Sequence, residues 1–436
     1  MMLMPGALPC LKPLSSLSSP RPLRLAVLGA GFAGLSITWH LLKVGTFSSP
    51  PLSRRSFTFV WLGSLQLSSD ELNLKIDLFD ENGIGGGASG VAGGLVHPYS
   101  PKGKLLRHGA ECWKECLDLL RIAEKAAIKS NSFSENEQII VHRRGILRSP
   151  FNIKTYDAVS DNAANFHPTC SIIPVDQQTA CNLIPNLQIP HSLAFFMPQA
   201  VTVDPQMYLK ALFYACEDLV HTSNGKKKLN MKRTTIQSLI PLQDYDAVIV
   251  CLGAKSNFLP EINGKLPLRT CRGVVAQLQS PDGFGLKDAP SLLSDAWLAV
   301  RGEESLHLGS TWDWKSREFS SSVSDEEASE ALAELMPKLC RVYPNGRDFT
   351  LKKVVGGVRA MPPVTQRGSA PLIGRVDDLL VGSWEGKKIW VFAGLGSRGL
   401  LYHARLGRLL AQAVLSSDHL LIPSLFTDWK VKLLSC

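Results

Sequence analysis

One stretch constrains the fold more than any other: Leu25 to Leu28, then Gly29-Ala30-Gly31-Phe32-Ala33-Gly34, then an apolar run from Leu35 to Val44. A short apolar segment that enters a GxGxxG turn and leaves as a helix is the opening of a dinucleotide-binding unit. Backbone N–H groups at the helix start face a pyrophosphate, and the glycines let the chain turn and approach it. Leu74 to Phe79 predicts the neighbouring strand, and Asp80-Glu81 at its end supplies a carboxylate for ribose hydroxyls. Strand alternation makes Asp80 the first choice and Glu81 the second. The interval is lengthened by Thr46 to Asn73, which reads as an insertion without assigned function.

Three further glycine-rich features follow in order. Gly83 to Gly94 contains Gly87-Ala88-Ser89-Gly90; the strand-like Asp246 to Leu252 ends in Gly253-Ala254; and Gly394-Leu395-Gly396-Ser397-Arg398-Gly399-Leu400 leads into a final helix. Glycine at such density lets backbone amides approach a phosphate or a planar ring without Cβ clashes. A dinucleotide turn near one end of the chain and a second glycine turn near the other fit one long cofactor gripped from both ends, FAD rather than NAD. The predicted cofactor contacts are Gly29, Gly31, Phe32, Ala33, Gly34, Asp80, Glu81, Gly87, Ala88, Ser89, Gly90, Gly253, Ala254, Gly394, Gly396, Ser397, Gly399 and Leu400.

At 436 residues the chain suits two domains, and 45% hydrophobic against 19% charged residues excludes a disordered protein. The net charge is +9, but no acid precedes Asp70, and Lys12, Arg21, Arg24, Lys43, Arg54 and Arg55 account for +6 of it. The rest is barely basic, so charge alone gives no argument for nucleic acid. The 10 cysteines include no CxxC pair, which predicts reduced, mostly buried thiols and no metal site. Residues 1–22 are rich in Ser, Pro and Leu and free of acid, as in a plastid transit peptide, with mitochondrion as the alternative. Leu23 to Leu42 is apolar, yet its glycines suit a buried βα unit, and no stable membrane insertion is expected.

The pattern predicts an α/β fold with an α+β second domain: a discontinuous Rossmann-like FAD-binding domain and a mixed, mainly antiparallel substrate domain. The FAD-binding parts are 23–110, 196–260 and 351–436, with 46–73 inserted; the substrate parts are 111–195 and 261–350. Helices are expected over Lys104 to Lys125, from Pro205 to Leu219 with Asp204 as N-cap, and after a Ser324-Asp325-Glu326-Glu327 capping box through Leu339. Strands are expected over Gln138 to His142, Gly145 to Arg148 and several segments between Leu266 and Leu308. The chain is expected to rejoin the cofactor domain near Gly356.

From Arg24 onward this order of motifs resembles the D-amino-acid-oxidase-type flavoenzymes, which include glycine and sarcosine oxidases. Gly87-Ala88-Ser89-Gly90, the turn from Gly394 to Leu400, Leu308-Gly309-Ser310-Thr311-Trp312 and Gly357-Val358-Arg359-Ala360 are most similar to the FAD domain of the bifunctional enzyme that completes 5-methylaminomethyl-2-thiouridine in the tRNA wobble position. Two segments depart from that family. Val91-Ala92-Gly93 replaces an Asn-containing continuation, and Met361 to Ala370 is longer and lacks the usual Asp. The resemblance implies oxidative removal of a carboxymethyl group from carboxymethylaminomethyl-uridine, with release of glyoxylate. O2 is the expected electron acceptor. The expectation is the oxidative half-reaction without a methyltransferase domain, a separate methyltransferase being a possible partner.

Such chemistry needs no protein nucleophile. It needs a cation for the substrate carboxylate, preferably a bidentate arginine. Arg359 is the first candidate, against a structural ion pair; Arg398 either holds a substrate carboxylate or phosphate or braces its turn. The helix after Gly399 can aim its N-terminal dipole at the flavin. His97, Tyr99, Tyr402 and His403 are expected to pack rather than face the ring, and Trp312 beside Thr311 to be a core residue rather than pocket lining. Lys102, Lys104, Arg107 and His108 form one basic group and Lys226-Lys227-Lys228 with Lys232 and Arg233 another; both are expected at solvated surface rather than on tRNA phosphates. The rival functions are a free amino-acid oxidase for glycine, sarcosine or a D-amino acid, and a low-turnover flavoprotein assembly factor.

Overall fold

The structure is a computed structural model that describes residues 21–43 and 72–430, apart from 131, 135, 151, 164–166, 191–192, 282–283, 303–304, 366–367 and 381–387. Nearly all of the leader (1–20) and of the insertion (44–71) lies outside the described residues.

Two large sheets organise the chain. In the first, β1 (Leu23–Leu28) lies between β2 (Leu74–Phe79) and Ala247–Val250; Lys227–Lys232 forms one edge, and Ile389–Ala393 with Leu372–Arg375 extends the other. All neighbours are parallel except the last pair. The apolar run of β1 reflects burial on both faces, as parallel sheets require. Leu25 and Val27 enter a core shared with α1 (Phe32–Lys43), α2 (Gly109–Lys129) and the helices Pro205–His221 and Gly399–Ser416. Ala26 and Leu28 enter a core with Leu239, Leu259, Ile262 and Trp429 on the opposite face.

α1 is buried on every side, which explains its apolar composition. It packs on Gly399–Ser416 so closely that a Cβ at Gly407 would lie 2.6 Å from Ser36 Oγ. The edge strand Lys227–Lys232 alternates half-buried and exposed positions, and its exposed lysines discourage edge-to-edge pairing. Lys232 reaches the buried Asp77 at 3.0 Å, where Tyr245 and Asn230 also donate.

The second sheet has eight strands, in the order Thr350–Met361, Arg269–Gln279, Leu306–Gly309, Trp297–Val300, Ser291–Leu293, Ile146–Arg148, Leu193–Met197 and Ile173–Asp176. It is antiparallel except where Ser291–Leu293 meets Ile146–Arg148. The helix Asp325–Val342 closes its outer core through Leu335 and Leu339. The expected mixture of parallel and antiparallel sheets is therefore observed.

Local expectations were met where caps are decisive. Asp204 accepts hydrogen bonds from the N–H groups of Gln206 and Met207 and starts the helix at Pro205. Others shift. The second helix starts at Gly109 rather than Lys104, because His108 adopts a left-handed conformation and Tyr99 bridges to Leu105. Asn136–Gln138 is a helical turn, so only Val141–His142 of the expected 138–142 strand forms. Thr350–Met361 stays in the second sheet, and the first is rejoined at Leu372 rather than near Gly356. Ser324 accepts from the N–H of Glu327, but Glu327 does not reach back to complete the box. Its carboxylate takes the fully buried Arg272 instead, at 2.5 and 2.9 Å.

That pair gives a stability prediction. Glu327→Gln removes the countercharge of a guanidinium 1% exposed and should cost about 2 kcal/mol in urea unfolding, the partial exposure of Glu327 keeping the loss below that of a fully buried pair.

Candidate active site

A cavity of about 890 Å³ lies between the sheets, lined by residues of both. At one end stands the first glycine turn. Gly29 has φ +106°, and a Cβ there would meet Cys251 O at 2.5 Å; a Cβ at Gly34 would meet Gly29 O at 1.7 Å. The first glycine thus permits the turn, and the third lets the helix close against it. Gly29, Gly31, Phe32 and Ala33 line the cavity. Gly34, whose neighbour is the turn itself, is a packing glycine.

Asp80 and Glu81 both line the cavity and are in different electrostatic states. Asp80 accepts from the N–H groups of Ala30 (2.8 Å) and Asn82 (2.9 Å), yet burial outweighs these bonds and raises its pKa. Glu81 pairs with Lys255, which holds its pKa below the usual carboxylate value. Lys255 was not singled out in the sequence; it belongs to the turn that begins at Gly253-Ala254, also on the cavity wall.

The glycine cluster folds onto the first turn. Gly85 N–H donates to Ala30 O at 3.1 Å, and Phe32 N–H donates to Ser89 Oγ at 3.1 Å. Gly87, Ala88 and Ser89 line the cavity, and a Cβ at Gly87 would meet nothing within 4 Å. Gly90 does not line it; its Cβ would strike Gly85 O at 2.1 Å, so it shapes the cluster. Gly394, Gly396, Ser397, Gly399 and Leu400 complete the wall. A Cβ at Gly399 would lie 2.9 Å from the Phe32 ring, so the two glycine turns, distant in sequence, touch.

Both arginine candidates line the cavity. Arg359 has no carboxylate partner among the described residues: it donates to Ser310 Oγ (3.0 Å) and Thr311 O (2.7 Å) and lies 4.0 Å over the Trp312 ring. Its Nε is buried without a partner, and burial lowers its pKa. Arg398 donates to Tyr99 O at 2.9 Å. Trp312 is no core residue: it lines the cavity and is 47% exposed, because Arg359 rather than apolar packing holds one face of its ring.

His97 faces the cavity, and its pKa is driven well below the usual value by burial, then by Arg398 and Arg148. His403 packs as expected, between Tyr208 OH (2.5 Å) and Leu400 O (2.8 Å), and burial lowers its pKa to about 4. Tyr99 is buried with its hydroxyl on Cys170 O. Besides Lys255, two residues escaped the sequence reading. Trp297 fills the space left by Gly93 and Gly309, where a Cβ would meet its ring at 2.7 and 2.5 Å. Arg148 ends a strand whose three positions are all buried, and a charge there is the signal that could have exposed it.

Among the described residues no group of His, Cys, Asp or Glu could hold a metal ion, and no helix is long and apolar enough to cross a membrane. The eight described cysteines are free.

The residues present fit FAD: a glycine turn open to a pyrophosphate, a carboxylate pair beside it, and a glycine-lined space running on to the second turn. Gly34→Ala, whose Cβ would collide with backbone, should lower both the flavin-to-protein absorbance ratio and the thermal midpoint. Gly87→Ala, which enters open space, should fold with an unchanged midpoint.

A family model described as FAD dependent oxidoreductase (DAO) matches residues 24–413. No curated protein sequence matches the chain significantly. Among solved structures, iminodiacetate oxidase from Chelativorans sp. BNC1 superposes with a TM-score of 0.64 at 18% identity, over 91% of this chain and 96% of the other. Glycine oxidase from Geobacillus kaustophilus gives 0.64 at 16% identity over 91% and 95%. L-proline dehydrogenase from P. horikoshii gives 0.64 at 15% identity over 91% and 94%. At these identities the likeness is one of fold. The family match spans both sheets and both glycine turns, and the chain belongs to the DAO family of FAD-dependent oxidoreductases.

Proposed function

We propose that this oxidoreductase removes the carboxymethyl group from carboxymethylaminomethyl-uridine at the tRNA wobble position. The observation that carries the reading is the Arg359–Trp312 pair. A desolvated guanidinium without an acid partner seats a carboxylate, and the ring it lies on reaches solvent. A carboxylate held there can belong to a short –NH–CH2–COO− arm whose parent molecule stays outside. Exposed aromatic rings, Trp314 beside Trp312 and Phe258 on the cavity wall, with Arg269 4.5 Å over the Trp314 ring, suit unpaired bases.

Bound FAD supplies the two-electron acceptor. Arg359 orients the carboxylate, the buried walls exclude bulk water, and the neutral amine lone pair assists loss of hydride from the CH2. Water then hydrolyses the imine. The overall change is R–NH–CH2–COO− + O2 + H2O → R–NH2 + OHC–COO− + H2O2.

A second reading, a free amino-acid oxidase, is favoured by the fold likeness to proteins named glycine and iminodiacetate oxidase. Anaerobic mixing of the FAD-loaded protein separates the two. Bleaching of flavin absorbance by tRNA carrying carboxymethylaminomethyl-uridine, but not by glycine or sarcosine, supports the tRNA reading; bleaching by the free amino acids alone overturns it. In either case Arg359→Gln should lower kcat/KM by about 10²-fold or more and Arg359→Lys by less, followed as peroxide release. The acid-poor leader supports a plastid address. Residues 1–22 fused to a fluorescent protein should enter plastids, and a cytosolic signal would count against it.

A further inference from the structure

Besides Arg359, two pairs of buried or half-buried arginines contrast. Arg272 and Arg301, neither on the cavity wall, are each paired with a carboxylate, Glu327 and Asp204. Arg148 and Arg398 line the cavity and, among the described residues, have only carbonyl acceptors: Arg148 donates to Ser100 O and Pro101 O, and Arg398 to Tyr99 O. Arg148 is 8% exposed. The two come from different sheets, Arg148 from the second and Arg398 from the turn after Ile389–Ala393, yet stand close enough that Arg398 lowers the pKa of Arg148 after burial has done so. Both also act on His97, whose Nδ1 accepts Tyr99 N–H at 3.2 Å.

Two desolvated like charges repel, and carbonyl oxygens compensate only part of the lost hydration. An anion placed between them removes both penalties. None of the polar contacts of Arg359, to Cys271, Arg272, Ser310 and Thr311, is shared with this pair.

We propose that Arg148, Arg398 and His97 form a second anion seat, separate from Arg359, and that the preferred substrate carries a second carboxylate or phosphate besides the carboxylate of the oxidised CH2. The inference rests on the reading in which Arg359 takes that first carboxylate. In a free substrate the second group is the other arm of a dicarboxylic secondary amine; in a nucleotide it is a backbone phosphate.

The FAD-loaded full chain would be tested on two matched pairs: sarcosine against iminodiacetate, and carboxymethylaminomethyl-uridine nucleoside against its 5′-monophosphate. The wild type should prefer the doubly anionic member of at least one pair. Arg148→Gln should lower that preference, as a ratio of kcat/KM values, about tenfold or more, and Arg148→Lys should restore part of it. The pair that responds identifies the carboxylate or the phosphate. Titration of malonate and inorganic phosphate, read as perturbation of the flavin spectrum, reports the seat without turnover. Weakening of that binding in Arg148→Gln supports the proposal even if no amine reduces the flavin, in which case it is the proposed reaction that fails. An unchanged ratio and unchanged anion binding would overturn the seat. So would an equal loss on both members of each pair with a shifted flavin reduction potential, since the arginines would then serve the flavin.

Discussion

The structure depends on a place where two backbones meet almost without side chains. Gly357, in the middle of Thr350–Met361, lies against the glycine cluster so closely that a Cβ would stand 3.1 Å from Ala88 Cα and 2.5 Å from Val91 Cγ2. At that seam the second sheet is pressed onto the loop that follows the first, and the cavity is the space left on either side. Strand register does the rest. Cys271 pairs with Arg359 and Arg272 with Val358, so arginines one position apart in register leave the sheet on opposite faces. Gly273 and Gly356 make room for their guanidinium groups, at 2.5 and 2.6 Å from the would-be Cβ atoms. One arginine turns outward to Glu327; the other turns inward to the cavity.

The cavity is electrically divided. Beside the first glycine turn stand Asp80 and Glu81, the latter paired with Lys255; Arg148, Arg359 and Arg398 line the wall without a carboxylate partner among the described residues. A long cofactor with a ribose-bearing end and a redox ring suits such a division. The carboxylates suit hydroxyl groups, and the guanidinium groups suit an acidic substrate.

What could be read from the sequence was what is local in origin. The GxGxxG turn, the Asp204-Pro205 start and the glycine-rich C-terminal turn each state their conformation within a few residues. Arg359 was anticipated at the cavity by another route: Gly357-Val358-Arg359-Ala360 resembles a flavoenzyme motif, and the chemistry that resemblance implies needs a cation for a carboxylate. Arg148, Trp297 and Lys255 were not. Their roles depend on which strands become neighbours and which glycines stand opposite, as with Trp297 over Gly93 and Gly309. Trp312 was misassigned for a related reason: an aromatic in an apolar stretch reads as core until a guanidinium is found on its face. The capping box failed in its second half because a buried cation from a distant strand competed for the same glutamate.

The packing of α1 on Gly399–Ser416 bears on how the chain is made. The dinucleotide turn is synthesised well before Gly399–Ser416, the helix that covers its own helix, and β1 acquires its partner Ala247–Val250 only when the long stretch between them has emerged. The cofactor cradle therefore cannot mature progressively behind the growing chain. An apolar helix made before its cover stays exposed while the intervening chain is synthesised, which makes the nascent protein a client of whatever shields such surfaces.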